Sequence, residues 1–280
     1  LTLSKDAAAA PNLSFVGAAS STVTLSLAGG PRVWTATLAI STATGEGTAV
    51  FLYNAVDTLG NSGAALTAGA SFFVDTVAPG PPLFAAAVSK PAGAIDLLWS
   101  APSGEPPFSY ALSRDGTRLP GFIAPNADKS GNFRDIPADG SHAYAIVAID
   151  SAGNEGPAAA VSATAKSQPP AAPLNTQVRL NAFARIELNW QAGSGETPVA
   201  FNVFRATYPG AAPAAPIRAA SPPLVDAPIA NATYYYVVAA LDFAGNQSSP
   251  SNEARIFWDQ SAPVIAIAGV TEGALYNHGV

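Results

Sequence analysis

The sequence predicts an all-β protein made of two-sheet β-sandwiches in an elongated tandem array. Three observations carry that expectation: apolar side chains alternate with a period of two, one turn motif recurs along the chain, and proline-rich joints separate the copies. Ile95, Leu97 and Trp99 fall on one face of a strand with Asp96, Leu98 and Ser100 on the other. Ile186, Leu188 and Trp190 repeat the pattern against Glu187, Asn189 and Gln191. A half-buried strand requires this alternation, because successive side chains leave opposite faces. Helical spacing is nearly absent, and the alanine-rich stretch 211–220 carries prolines that break a helix.

The turn motif is Asp-x-x-Gly-Asn. It stands at Asp57–Asn61, Asp150–Asn154 and Asp242–Asn246, spaced about 92 residues apart. Each copy follows an apolar strand and precedes another, which reads as a hairpin turn with Gly and Asn supplying the positive φ angles. Other anchors keep the same spacing of about 91 residues: Trp99 with Trp190, Arg114 with Arg205, and Asp135 with Asp226. The joints are Asp75-Thr-Val-Ala-Pro79-Gly-Pro-Pro82, Gln168-Pro-Pro-Ala-Ala-Pro173 and Asp259-Gln-Ser-Ala-Pro263. Proline holds such segments extended and stiffens them. The expected domains are therefore 1–78, 79–168 and 169–258, with a remainder at 259–280.

Composition removes several functions. Charged residues make up 11% of the chain while 49% are hydrophobic, so disorder is excluded. A net charge of −6 argues against nucleic acid, whose phosphates demand a Lys/Arg surface. No cysteine is present, which removes disulfides, thiolate metal sites, haem attachment and a Cys nucleophile together. The longest apolar stretch, Tyr234–Leu241, is far short of the ~20 residues that span a bilayer. With no methionine, the chain is expected to be a piece of a longer protein.

Residues 80–168 and 169–258 resemble fibronectin type III modules of secreted bacterial proteins. The resemblance rests on Trp99 and Trp190, Tyr110 and Phe201, the strand Tyr234-x-Tyr236-x-Val238-x-Ala240, and the turns at Asp150 and Asp242. It implies a corner tyrosine, eight residues before the turn Asp, whose hydroxyl bonds backbone. Tyr234 takes that place, but the middle copy has His142 there, implying an altered corner. Residues 1–78 resemble a bacterial immunoglobulin-like surface repeat through Trp34, Phe51-x-Tyr53-x-Ala55-x-Asp57 and Phe73-Val-Asp75. On that likeness Leu1–Ser4 is the second strand and the first is missing. Ala262–Val270 resembles the opening strand of a further, truncated repeat.

Catalysis finds little material. His142 and His278 are the only histidines, and no nucleophile elbow, zinc-binding helix or phosphate loop is present. The chain is expected not to be an enzyme. Calcium is the one cofactor considered, with Asp57, Asp75, Asp150, Asp242 and Asp259 as candidate ligands; it takes six to eight oxygens, and the alternative is that these residues bond turn backbone. An interaction surface is expected on the outer face of the last repeat, at Phe204, Tyr235, Val237 and Leu241, with Ala143–Ile149 and Val50–Val56 as counterparts.

The expected function is non-catalytic: structural or adhesive modules of an extracellular, secreted or cell-surface bacterial protein, serving as a semi-rigid spacer or protein-packing surface. Partners would be another protein or another copy, through the apolar sheet faces. Two alternatives stand beside it. The chain could supply glycan-binding accessory modules to a secreted carbohydrate-active enzyme, with Phe204 and Tyr235 stacking on sugars. It could also be a subunit of an assembly in which the C-terminal tail adds a strand to a neighbour.

Overall fold

The structure, a computed structural model, describes residues 1–17, 22–210, 215–265, 268 and 273, and for residue 85 the backbone alone. Apart from two single turns of 3-10 helix, the regular elements are strands, and every pairing between them given by register is antiparallel. Two compact units emerge. One comprises Leu1–Val88, Asp96–Asp135 and Ser141–Thr164; the other comprises Ser89–Ile95, Ile136–Gly140 and the chain from Ala165 onward.

In the first unit, β1 (Asn12–Val16) pairs with β2 (Thr22–Thr24) and with the long β5 (Gly47–Val56). A separate ribbon joins β3 (Ala28–Gly29) to β4 (Trp34–Thr35). The other side of β5 receives β6 (Ser62–Gly63) and β7 (Ser71–Val74). The core here does not centre on its tryptophan. Trp34 is only half-buried, and the interior forms around Phe15, Ala49 and Val74, with Phe51 and Phe72 packed against them. Phe15 meets Phe72 edge-on at 5.7 Å, the arrangement that ring quadrupoles favour. Phe73 points the other way and is exposed. Leu1–Ser4 contributes a single bridge, Thr2 to Val33, in place of the expected strand.

The same unit carries most of a second sandwich. Its smaller sheet runs in the order β12 (Gly131–Asp135), β9 (Ile95–Ser100), β8 (Leu83–Ser89). The larger runs β11 (Thr117–Arg118), β10 (Ser109–Arg114), β13 (Gly140–Ile149), β14 (Ala159–Ala165). Ile95, Leu97 and Trp99 are buried, as the alternation predicts, and Trp99 packs edge-on to Tyr110 at 5.4 Å. Gly131 is required beside it, because a Cβ there would collide with the indole.

The second unit holds the last sandwich. Its three-stranded sheet runs β15 (Leu174–Leu180), β16 (Ile186–Gln191), β19 (Leu224–Asp226). Its four-stranded sheet runs β18 (Ile217–Ala219), β17 (Ala200–Ala206), β20 (Ala232–Leu241), β21 (Ala254–Trp258). Ile186, Leu188 and Trp190 from one sheet meet Phe201, Val203, Tyr236 and Val238 from the other in one core. Trp190 and Phe201 reproduce the edge-on contact at 5.3 Å. Of the strand expected at 262–270, residues 266, 267, 269 and 270 lie outside the described residues, and the rest forms no strand.

The repeated Arg and Asp anchors close both later sandwiches alike. Arg114 pairs with Asp135 at 2.7 Å, and the Tyr144 hydroxyl donates to the same carboxylate at 2.8 Å. Arg205 pairs with Asp226 at 2.8 Å and the Tyr236 hydroxyl donates to it at 2.8 Å. Burial, reinforced by the carboxylate, pushes both phenols well above their usual range. The corner also follows expectation. Tyr234 donates to the Ala230 carbonyl at 2.8 Å, whereas His142 turns its Nδ1 to the Asp115 carboxylate at 2.7 Å.

Candidate functional site

The Asp-x-x-Gly-Asn turns supply the functional geometry. In each, the glycine alone takes a positive φ: +85° at Gly60, +93° at Gly153 and +86° at Gly245. The asparagines keep ordinary φ angles, contrary to the sequence expectation, and act through their side chains. Asp150 Oδ1 accepts the amides of Ala152, Gly153 and Asn154 at 2.8–2.9 Å, while Asn154 Nδ2 donates to Asp150 Oδ2 at 2.8 Å. Burial pushes the Asp150 carboxyl upward, but these donors outweigh it and hold the group below the usual carboxylate range. Asp57 and Asn61 make the same mutual bonds, at 2.9 and 3.0 Å. Asp242 and Asn246 do so at 2.8 Å.

Two of the three asparagines reach further. Asn154 Nδ2 donates to the carbonyl of Asp75, 3.0 Å away, the first residue past β7. Asn246 Nδ2 donates to the carbonyl of Lys166 at 2.9 Å, the first residue past β14. Its Oδ1 also accepts the Ala92 amide at 2.8 Å, and Asn246 is buried. Each turn thus grips the strand exit of the preceding repeat, where the proline-rich joint begins. Gly156 lies so close to the Pro79 carbonyl that any Cβ would collide with it.

Charge distinguishes the joints. At the first, ligand atoms of Asp75, Glu105 and Asp150 lie within 4.8 Å of one another. Burial and the neighbouring Asp75, Asp150 and Glu46 carboxylates raise the Glu105 pKa. At the second, Lys166 stands where the first joint has Asp75. Its Nζ lies 2.6 Å from Glu196 and 4.0 Å from Asp242. Pairing with Glu196 holds the ammonium above its usual range.

The calcium candidates divide accordingly. Asp57, Asp242 and Asp259 are engaged by local donors, Asp259 by Asn231 and Ser261. Asp242 has Lys166 as its cation. Asp75 and Asp150 come together with Glu105, which sequence reasoning missed; three such oxygens are about half of a calcium shell. A signal for Glu105 existed: Ser103-Gly104-Glu105 recurs as Ser194-Gly195-Glu196 at the spacing of the other anchors.

The expected interaction face is only partly open. Phe204 lies opposite Val237, and Tyr235 between Ala206 and the exposed Arg255; Phe204, Val237, Tyr235 and Ala206 are half-buried. Leu241 is a correction: it is 5% exposed and belongs to the interior. Past the turn the chain returns along the end of β20, bridging Leu241 to Gln247 and bonding Ser248 N–H to the Ala240 carbonyl. Ile149 is buried at the matching place, beside the bridge to Glu155. The first repeat leaves Val50, Leu52 and Val56 exposed.

Antiparallel two-sheet sandwiches in tandem define the class of this protein. No family profile matches the chain, and no curated protein is similar to it. Among solved structures, the FN1-FN3 domains of chicken CNTN1 are 14% identical with a TM-score of 0.47, covering 88% of this chain and 87% of that one. An Fn3-like protein from Clostridium thermocellum is 28% identical over 34% of this chain and 100% of its own, with a TM-score of 0.28. The fibronectin(III)-like modules of CbhA from the same organism are 14% identical over 66% and 100%, with a TM-score of 0.41. Among the described residues no helix is long and apolar enough to cross a membrane.

Proposed function

We propose that the chain is a set of non-catalytic structural modules, a semi-rigid spacer within an extracellular or cell-surface protein. The observation that carries this reading is the pair of asparagine clamps. A flexible linker would leave the strand exits solvated, but here Asp75 and Lys166 each give a backbone carbonyl to the next repeat. Donor and acceptor are fixed by the Asx turn on one side and a finished strand on the other, so bending at the joint breaks bonds that hold part-buried groups. The Asn154 and Asn246 side chains at the joints are spent on backbone groups, a structural use that needs no substrate.

The absence of native cysteine makes a direct test simple. Spin labels on Ala64→Cys and Ala127→Cys, both exposed, report across the first joint. The wild-type background gives one narrow distance distribution, and Asn154→Ala broadens it. A distribution already broad in the wild type removes the spacer reading.

A further inference from the structure

The carboxylates gathered at the first joint come from three stretches of chain. Asp75 follows β7, Glu105 lies on the loop between β9 and β10, and Asp150 opens the turn after β13. Two of them have local donors: Asp150 holds its turn amides, and Asp75 Oδ1 accepts the Val77 amide at 3.2 Å. Glu105 differs. Among the described residues its part-buried carboxylate meets no donor and faces Asp75, Asp150 and Glu46. Its loop is tied to the joint all the same, since the Gly80 amide donates to the Ser103 carbonyl at 3.1 Å. The second joint shows what the same set holds. Glu196 and Asp242 stand there in the places of Glu105 and Asp150, at the repeat spacing. Asp242 carries the same turn bonds as Asp150, yet a cation lies beside it: Lys166 Nζ is 2.6 Å from Glu196 and 4.0 Å from Asp242. We propose that Asp75, Glu105 and Asp150 bind one calcium ion, in the place that the Lys166 ammonium takes at the second joint.

The donor set selects the ion. All three ligands are carboxylate oxygens, which suit a hard cation better than a transition metal. The oxygens lie within 4.8 Å of one another. That is about twice the ~2.4 Å bond of calcium, whereas the ~2.0–2.1 Å bonds of magnesium would have to draw them closer. Water completes the shell, which places the affinity in the weak range of about 0.1–1 mM. The ion ties the strand exit at Asp75 to the loop of Glu105 and the turn of Asp150. The first joint then answers to the calcium of its surroundings, while the second carries its own cation in Lys166. This inference stands apart from the spacer reading: binding is read by titration and stiffness by distance distributions, so each can fail alone.

Calorimetric titration of calcium chloride into the whole 280-residue chain at pH 7 tests this. One ion should bind per chain with a Kd of about 0.1–1 mM, and calcium should raise the melting temperature above that in chelator. Asp75→Lys supplies an ammonium from the chain itself, as the second joint does. That variant should be at least as stable as the wild type in chelator and should lose the calcium response. Glu105→Gln keeps the shape of the side chain and removes one charge, so it should weaken binding about tenfold or more. Absence of binding up to about 10 mM calcium overturns the proposal. Binding that survives both substitutions also overturns it, because the ion would then lie elsewhere.

Discussion

The two engaged joints are made from one turn and differ in one charge. Both present an Asp-x-x-Gly-Asn turn to a strand exit, and both place a glutamate from the preceding Ser-Gly-Glu loop beside it. At the first joint the exit residue is Asp75, which gathers with the Glu105 and Asp150 carboxylates. At the second it is Lys166, and the glutamate and buried aspartate share a cation. Asn246 also takes a third partner, the Ala92 amide, whereas among the described residues the Asn154 side chain bonds Asp75 and Asp150 alone. Backbone bonding is thus enough to define a joint, while the side chains around it set how firmly it holds and how it responds to acid.

The comparison needs a baseline in which the repeats should not differ. Asp135→Asn and Asp226→Asn each break a largely buried Arg–Asp–Tyr set, and each should cost about 2–4 kcal/mol in urea unfolding. Unequal losses would mean that the sandwiches, and not the joints, carry the difference. Next in size are the clamps. Asn246→Ala leaves the Ala92 amide and the Lys166 carbonyl short of a partner and should cost about 2–3 kcal/mol, against about 1–2 kcal/mol for Asn154→Ala. Equal costs would remove the ranking.

Exchange of the exit charge is a smaller effect of opposite sign at the two joints. Asp75→Lys should stabilise its joint and Lys166→Asp should destabilise the other, each by about 0.5–1 kcal/mol in urea unfolding because the pairs are partly exposed. Smallest is the acid response. A Glu105 pKa raised in the folded state means that the native form binds its proton more tightly than the unfolded chain does. Stability from this group is therefore gained as pH falls through the raised pKa toward the ordinary value near 4.5, and is lost as pH rises. Glu105→Gln should melt higher than the wild type at pH 7, with the gap closing in acid. Asp150 works in the opposite sense at lower pH, since its depressed pKa gives stability that is lost on protonation. A constant gap across pH would place the effect of Glu105 outside the carboxylate cluster.

Much of the architecture could be read directly from residue order. Ile95, Leu97 and Trp99, and their counterparts at Ile186, Leu188 and Trp190, are buried because a period of two permits only one set of side chains to face the partner sheet. The interval linking Arg114 to Arg205 and Asp135 to Asp226 proved to be a repeated ion pair, since a repeated interior demands repeated neutralisation. Trp34 departs from Trp99 and Trp190: the first repeat fills its core with phenylalanines on β1, β5 and β7, and a tryptophan in sequence does not show which ring the strands will enclose. Leu241 misled for a related reason, because alternation assigns a face but cannot show that a loop returns along the strand end.

What the sequence determined by itself was local: strand period, turn chemistry and the spacing of the copies, all set by φ/ψ preference and by which side chains neighbour one another along the chain. What only the tertiary structure decided was pairing across distance. Asn154 with Asp75 and Asn246 with Lys166 are separated by 79 and 80 residues, and nothing in either turn names its partner. A buried amide must find a carbonyl, but which carbonyl arrives depends on where a completed strand ends.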